Sequence, residues 1–534
     1  MLCYLLIHIL CLQAVLGVPY DVLPLRIPAL VPKDTSLLSG RGAFQQLIDH
    51  TNLDVGTFSQ SYWFNTTYWG GPGSPIIFYT PGQHAATDRL HYLTDTTLPG
   101  LVAKEVRGAV VLVEHRYFGE SQPFSNLSTA NLQYLTLDQV LADFVHFART
   151  VDLPFDLSGQ SHPSRAPWIW IGNSYSAALV AWTEKLIPNV FWAYYASGAM
   201  VNCMQDFWQF NYPTQQGMPQ DCRYSLEAII SHVDSVFLSG SPEQKHRLKT
   251  RFGLQDLDRL DDTASALSRP VIAWTLIQPS DTHAQFFEMC DAIGNLNSSW
   301  SRGHKVGSEI NLQKALGNYA NWFTTSYLPG LCESSGYSDW AGRNNVQCLD
   351  TANPSWQAFH DLAVQNEDRV WDWMICNFFL LWQTGAPVSR PTIFSRLVDS
   401  MYYKRRCKLI FPEEENVTYA ARVTDDSINT LTGGWNHTGK RILFTNGEFD
   451  PWRSASVSSV FRPDGPMQST SQQPIILIKG VQHQADMYVR NRINKDVREA
   501  MDTGIAQISR WVLDFHVEKS KTLTQYTSQV YCAH

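Results

Sequence analysis

The stretch Trp168-Ile-Trp-Ile-Gly-Asn-Ser-Tyr-Ser-Ala177 constrains the fold more than any other part of the chain. Consecutive bulky apolar residues make a buried strand, and Gly172, Asn173 and Ser174 interrupt it before a helical run from about Ala177 to Ile187. A strand that turns straight into a helix lifts the turn residue clear of the sheet edge. The helix N-terminus then favours negative charge developing beside it. Ser174 is therefore the candidate nucleophile, in a Gly-x-Ser-x-Ser variant of the usual Gly-x-Ser-x-Gly. Taken alone, the pattern also fits an ordinary strand–helix turn.

The flanking sequence places this turn in a parallel sheet. Apolar runs at Pro75–Thr80 and Ala109–Glu114 precede it, and Trp192–Ala196 follows. Thr136-Leu-Asp-Gln139 predicts a capping box, Thr136 capping and Gln139 reaching back, ahead of an apolar face at Leu137, Val140, Leu141, Phe144, Val145 and Ala148. Strand, helix and strand in alternation argue for α/β architecture. From roughly 200 to 430 the hydrophobic spacing becomes helical, as in Ser225–Phe237 and Phe359–Trp382. Strand signals return at Arg441–Thr445 and Pro474–Ile478, and a helical tail follows around Ala500–His516. The expected organisation is a sheet domain over 18–199 and 431–534, interrupted after its fourth readable strand by a helical cap over 200–430.

A serine hydroxyl needs a base, and the base needs an acid to orient it. Each late strand leads into a suitable residue. Arg441–Thr445 runs into Asn446-Gly-Glu-Phe-Asp450, and Pro474–Ile478 into Lys479-Gly-Val-Gln-His483. Asp450 alone is as readily a turn residue, and His483 alone a surface histidine. The order Ser, Asp, His on successive strand ends is what an α/β-hydrolase fold uses. The expected triad is thus Ser174, Asp450 and His483. The oxyanion donors expected beside it are the N–H groups of Tyr175 and, from the loop after an early strand, Gly82.

Composition fixes the setting. The chain has 534 residues, a formal charge of −8 and no cluster of Lys and Arg, which argues against a nucleic-acid partner. Residues 1–17 read as a signal peptide, apolar but too short for a membrane span, with Val15 and Gly17 small enough for cleavage. Eight cysteines remain beyond it, without Cys-x-x-Cys pairs, and point to disulfides rather than zinc; Cys332 and Cys348 are spaced for a local bridge. Sequons stand at Asn65, Asn126, Asn297, Asn416 and Asn436. Secretion, or residence in a secretory or vacuolar lumen, is the expectation. No metal or cofactor motif is visible, and the oligomeric state is not readable.

These motifs resemble those of the prolyl carboxypeptidase, dipeptidyl peptidase II and fungal acid prolyl endopeptidase family. The resemblance runs through Phe44–His50, Phe58–Trp63, Gly70–Pro75, Glu114-His-Arg-Tyr-Phe-Gly-Glu-Ser121, Leu135–Asp138, Tyr319–Trp322, Asn446-Gly-x-x-Asp450-Pro-Trp452 and His483-x-x-Asp486. It implies a serine peptidase cleaving after proline, sometimes alanine, in an acidic range, with the triad at the residues above. The chain departs from the pattern at Asn173 and Ala177 in the elbow, at Gln83 and Phe378 where carboxylates are usual, and in lacking a cysteine after His483. Loss of those carboxylates disfavours capture of a substrate amine and leans towards endopeptidase action. The alternatives are an exopeptidase, an impaired peptide-binding relative and an esterase. His115 and the tryptophans Trp371, Trp373 and Trp382 read as packing residues, with a cap aromatic or two available to line a proline pocket.

Overall fold

The computed structural model describes residues 38–294, 311–418 and 425–531. The predicted signal segment, Asn297 and Cys532 lie outside the described residues. Eight strands form one sheet: β1 (Ser39–Leu47), β2 (Thr57–Asn65), β3 (Ile76–Tyr79), β4 (Ala109–Val113), β5 (Trp168–Asn173), β6 (Ala193–Ser197), β7 (Ile442–Gly447) and β8 (Ile475–Ile478). Their spatial order is β1-β2-β4-β3-β5-β6-β7-β8. The β1–β2 hairpin and the β2–β4 pair are antiparallel, and every pairing from β4 to β8 is parallel. This is the α/β-hydrolase fold.

The central strands are apolar on both sides because helices cover both faces. Phe78 and Trp170 face one core with α2 (Leu137–Thr150) and α3 (Tyr175–Leu186). Ile77, Tyr79 and Ile171 face the other, with α1 (Leu98–Val106) and the final helix Lys495–Tyr531.

The hairpin at the sheet edge has no counterpart in the sequence reading. Gly40 and Gly42 lie directly across from Phe64 and Tyr62. A Cβ on either glycine would come within 2.4 and 2.2 Å of those rings, so the aromatic side chains occupy the space that strand side chains usually fill.

Two helix expectations need correction. Thr136 caps α2 by accepting from Gln139 N, but Gln139 does not reach back. Its side chain accepts from His50 N (2.9 Å) and donates to Asp49 (2.7 Å), tying α2 to the β1–β2 turn instead. The run Phe359–Trp382 is not one helix. It contains the short Gln357–His360, then Glu367–Met374 continued by a wide turn over Ile375–Phe379, and it stops where Leu380 turns left-handed (φ 47°).

Between β6 and β7 the chain is helical, with Gln220–Ser239 its longest helix. Among the described residues three disulfides staple this insertion: Cys222–Cys290, the expected Cys332–Cys348, and Cys376–Cys407. Among the described residues no helix is long and apolar enough to cross a membrane, and no group of side chains has the makings of a metal site.

Candidate active site

The parallel strands point their C-terminal ends at one region, and the loops leaving β3, β5, β7 and β8 meet there. This is where open α/β sheets place their chemistry. Ser174 leaves β5 and caps α3 with φ 55° and ψ −127°, a backbone region costly for any side chain. Its N–H donates to Ser197 O at the end of β6 (2.9 Å), which fixes the turn. Gly172 has to be glycine, because a Cβ there would lie 2.6 Å from Ser176 O. Asn173, by contrast, is a strand residue paired with Ser197, so the unusual angles fall on Ser174 and not on it.

Asp450 lies beyond the end of β7, and its Oδ1 accepts from Trp452 N (2.9 Å). Its other oxygen, Oδ2, is 2.9 Å from His483 Nδ1, and both side chains are buried. That contact places the imidazole proton on Nδ1 and leaves Nε2 able to accept a hydrogen bond. Neither His483 Nε2 nor Ser174 Oγ has a hydrogen-bond partner among the described residues, and both residues line one cleft. The structure thus brings the sequence-predicted residues of the three loops to a single place.

Two residues that support this arrangement carried no role in the sequence reading. Gly198 (φ 65°) sits beneath the imidazole, and a Cβ there would lie 2.8 Å from the His483 ring and 3.3 Å from Asp450 Oδ2. Asp486 is buried and accepts hydroxyl hydrogen bonds from Tyr195 and Thr445 (2.7 Å each) and Ser197 (2.6 Å). It locks the loop after β8 to the ends of β6 and β7. The motif His483-x-x-Asp486 was its only signal.

Gly82 (φ 65°) brings the loop after β3 against the elbow, where a Cβ would meet the Tyr175 ring at 3.1 Å and Ser176 N at 3.5 Å. Tyr175 is the first residue of α3, so its N–H is one of those the helix leaves unused. Its hydroxyl donates to His115 Nε2 (3.0 Å), while His115 Nδ1 donates to Arg116 O (2.7 Å). Burial pushes the His115 pKa down to about 4, which keeps it neutral for this packing role. The rest of its motif is a structural hub. Arg116 makes a bidentate pair with Asp143 and donates to the carbonyls of Leu47, Ile48 and Tyr134. Glu114 accepts from Ala86 N, Glu120 N and Ser121.

The cleft wall is polar. Gln83, Asn173, Gln278 and Gln484 line it with Arg89 and Arg490, and among the described residues no carboxylate does. Its aromatic faces are Tyr79, Tyr92 and Tyr488, with Tyr79 and Tyr92 stacked at 4.3 Å. All three lie outside the helical insertion, which contributes Thr275, Leu276 and Gln278 to the lining. Trp371 instead packs against Tyr175, and Trp382 stacks on Tyr403, both buried. Asn65 is half-buried, whereas Asn126, Asn416 and Asn436 are exposed.

Comparison with known proteins decides the family: the description Serine carboxypeptidase S28 matches residues 45–500. The chain belongs to that family. It is similar to Serine protease vicPb of Bipolaris victoriae (strain FI3), 78% identical over 536 residues and covering 100% of both chains. It is 29% identical to a probable extracellular serine carboxypeptidase of Arthroderma benhamiae, over 80% of this chain and 60% of that protein. It is 25% identical to the lysosomal Pro-X carboxypeptidase of Homo sapiens, over 93% of this chain and 92% of that one. A solved lipase in its open form matches 88% of this chain and 99% of its own at 12% identity and a TM-score of 0.31, too distant to carry any argument.

Within this S28 chain the sequence departures have distinct fates. Asn173 accepts from the Tyr79 hydroxyl (2.9 Å) and donates to Gln484, bridging β3, the elbow and the loop carrying His483. Gln83 lines the cleft. Phe378 does not; it lies in the wide turn of the insertion against Phe379. Only one of the two missing carboxylates therefore concerns the cleft.

Proposed function

We propose that this protein is a secreted serine peptidase that hydrolyses bonds on the carboxyl side of proline through an acyl-enzyme. The supporting observation is the cleft where Ser174 Oγ and His483 Nε2 stand without other partners while His483 Nδ1 pairs with Asp450 at 2.9 Å. In this reading His483 takes the Ser174 proton as Oγ attacks the scissile carbonyl. Asp450 holds the ring and steadies its cationic form. The N–H groups of Tyr175 and Gly82 receive the oxyanion, and His483 returns the proton to the leaving amine. Water then repeats the sequence on the ester. The half-buried ring of Tyr488 in the cleft wall suits an apolar pyrrolidine ring, with Tyr79 and Tyr92 packed behind it.

Among the described residues no carboxylate lines the cleft to pair with a substrate amine, which favours internal bonds over release of dipeptides from the amino end. A second reading, removal of carboxyl-terminal residues, draws on Arg490, whose cationic group suits a terminal carboxylate. The test is turnover of a blocked proline peptide and of free-ended peptides from pH 3 to 8, by the protein and its Ser174→Ala variant. Turnover after proline that vanishes in the variant is expected. An unchanged rate in the variant, or no turnover together with no labelling by a fluorophosphonate, would overturn the proposal. Preference among the peptides separates the endopeptidase from the carboxypeptidase reading.

A further inference from the structure

We infer that Glu367, carried by the helical insertion, is a positioning residue that holds the loop presenting the second oxyanion donor. The inference rests on the role proposed above for Gly82. The loop leaves β3 and has no regular structure until Ala86, so its backbone N–H groups must find acceptors elsewhere. Two carboxylates from different parts of the chain supply them. Glu114, at the end of β4, accepts from Ala86 N (2.9 Å). Glu367, at the start of the helix Glu367–Met374, accepts from Ala85 N (2.8 Å) across a sequence separation of 282 residues.

The two anchors are not equivalent. Glu114 is a fixed point, since its second oxygen takes Glu120 N and both the N–H and hydroxyl of Ser121. Glu367 arrives from a separate part of the chain. Pinning the consecutive N–H groups of Ala85 and Ala86 to two separate carboxylates fixes the peptide planes on either side of Ala85, three residues from Gly82. A donor to a developing oxyanion has to be held within about half an ångström. Loss of one pin should therefore show in the chemical step rather than in binding.

The insertion grips the other loops in the same way. Trp274 Nε1 donates to Phe449 O (2.8 Å), next to Asp450, and Gln278 Nε2 donates to His483 O (3.1 Å). Gln278 is itself held by Asn491, which donates to its Oε1 (2.7 Å). The insertion thus reaches the backbone of the β3, β7 and β8 loops at Ala85, Phe449 and His483. It acts as a clamp on the site as well as a cover, and Glu367 is its contact with the oxyanion loop.

Glu367→Gln keeps an acceptor oxygen for Ala85 N and removes the charge; Glu367→Ala removes both. The experiment compares these with the wild type for kcat and KM on a proline peptide, for the rate of fluorophosphonate labelling, and for Tm. Expected for Glu367→Ala is a fall in kcat of about tenfold or more, short of the roughly hundredfold loss of a whole oxyanion donor, with KM within about twofold. Labelling should slow in parallel. Glu367→Gln should keep at least about half of the wild-type kcat, whatever its Tm, because a purely structural role would follow Tm instead. An unchanged kcat in Glu367→Ala, an effect on KM alone, or equal losses in both variants would overturn the inference. If Glu367→Ala does not fold, Glu367→Met, similar in volume and without an acceptor, takes its place. Ser174→Ala run alongside separates the two layers: activity retained there sinks the triad, whereas activity lost there with Glu367→Ala intact sinks only the clamp.

Discussion

Gly198 lies so close beneath His483 that a single added methyl would stand 2.8 Å from Cε1 and 2.9 Å from Nδ1 of the imidazole. The same methyl would reach within 3.3 Å of Asp450 Oδ2. The end of β6 is thus the floor on which the imidazole and carboxylate rest, and its φ of 65° already favours glycine. Gly198→Ala is expected to displace the ring and lower kcat by about a hundredfold, in line with the cost of roughly ångström misplacement in a catalytic group. Tm should fall by far less than that loss implies. Steady-state kinetics with a parallel melting curve checks it, and a variant with wild-type kcat would show that the floor can yield.

Asp486 ties the loop that carries His483 to the ends of β6 and β7. Its carboxylate takes hydroxyls from Tyr195, Ser197 and Thr445, and hydrogen bonds to a charged group are each worth about 1.5–3 kcal/mol. Asp486→Ala leaves buried hydroxyls on two strands without their acceptor. The variant should lose about 3 kcal/mol or more of stability, with reduced activity even at temperatures where it stays folded. Urea unfolding followed by Trp fluorescence measures the first quantity. A loss under about 1 kcal/mol would mean the hydroxyls find other partners.

The legible parts of this protein were those whose signals are local. Ser174, Asp450 and His483 each stand just past a strand that hydrophobic pattern reveals, so chain order alone aligned them. Gly198, Asp486 and Glu367 act through contacts with residues far away in sequence; the His483-x-x-Asp486 motif marked the second, and nothing beside the other two in the chain announces the role. The β1–β2 hairpin escaped for a related reason. Its strand character comes from Phe64 and Tyr62 lying over Gly40 and Gly42, a cross-strand fit that no single-strand pattern carries. The Gln139 side chain likewise obeyed a distant partner, Asp49, over the local capping rule.

Asp262 in the insertion gives a pH test with a definite sign. Burial raises its pKa from 3.8 to about 7, although Thr351 donates to it through both its hydroxyl (2.6 Å) and its N–H (3.1 Å). Because the folded value lies above the unfolded one, its contribution is fully present below about pH 4. That contribution is lost as pH rises through 7. Asp262→Asn stays neutral throughout. The variant should melt with the wild type near pH 4 and roughly 2–4 °C above it near pH 8. Melting curves at the two pH values decide it, and a gap that closes with rising pH would refute the assignment.

Asn173 offers the sharpest contrast between sequence and structure. Read as a replacement for an elbow glycine, it invites reversion to glycine as a route to higher activity. The geometry argues the opposite. Asn173 has ordinary strand angles, so glycine relieves no strain there. Its amide ties Tyr79 to Gln484, the residue that follows His483 and itself carries a left-handed backbone (φ 49°). Asn173→Gly cuts both ties and adds backbone entropy to the unfolded chain, at about 0.5–1 kcal/mol for a glycine within a strand. The expected result is a lower Tm and a kcat reduced by about tenfold, without any gain in fluorophosphonate labelling rate. A reversion that speeds labelling would show that Asn173 obstructs the elbow and that the bridge to Gln484 does not serve catalysis.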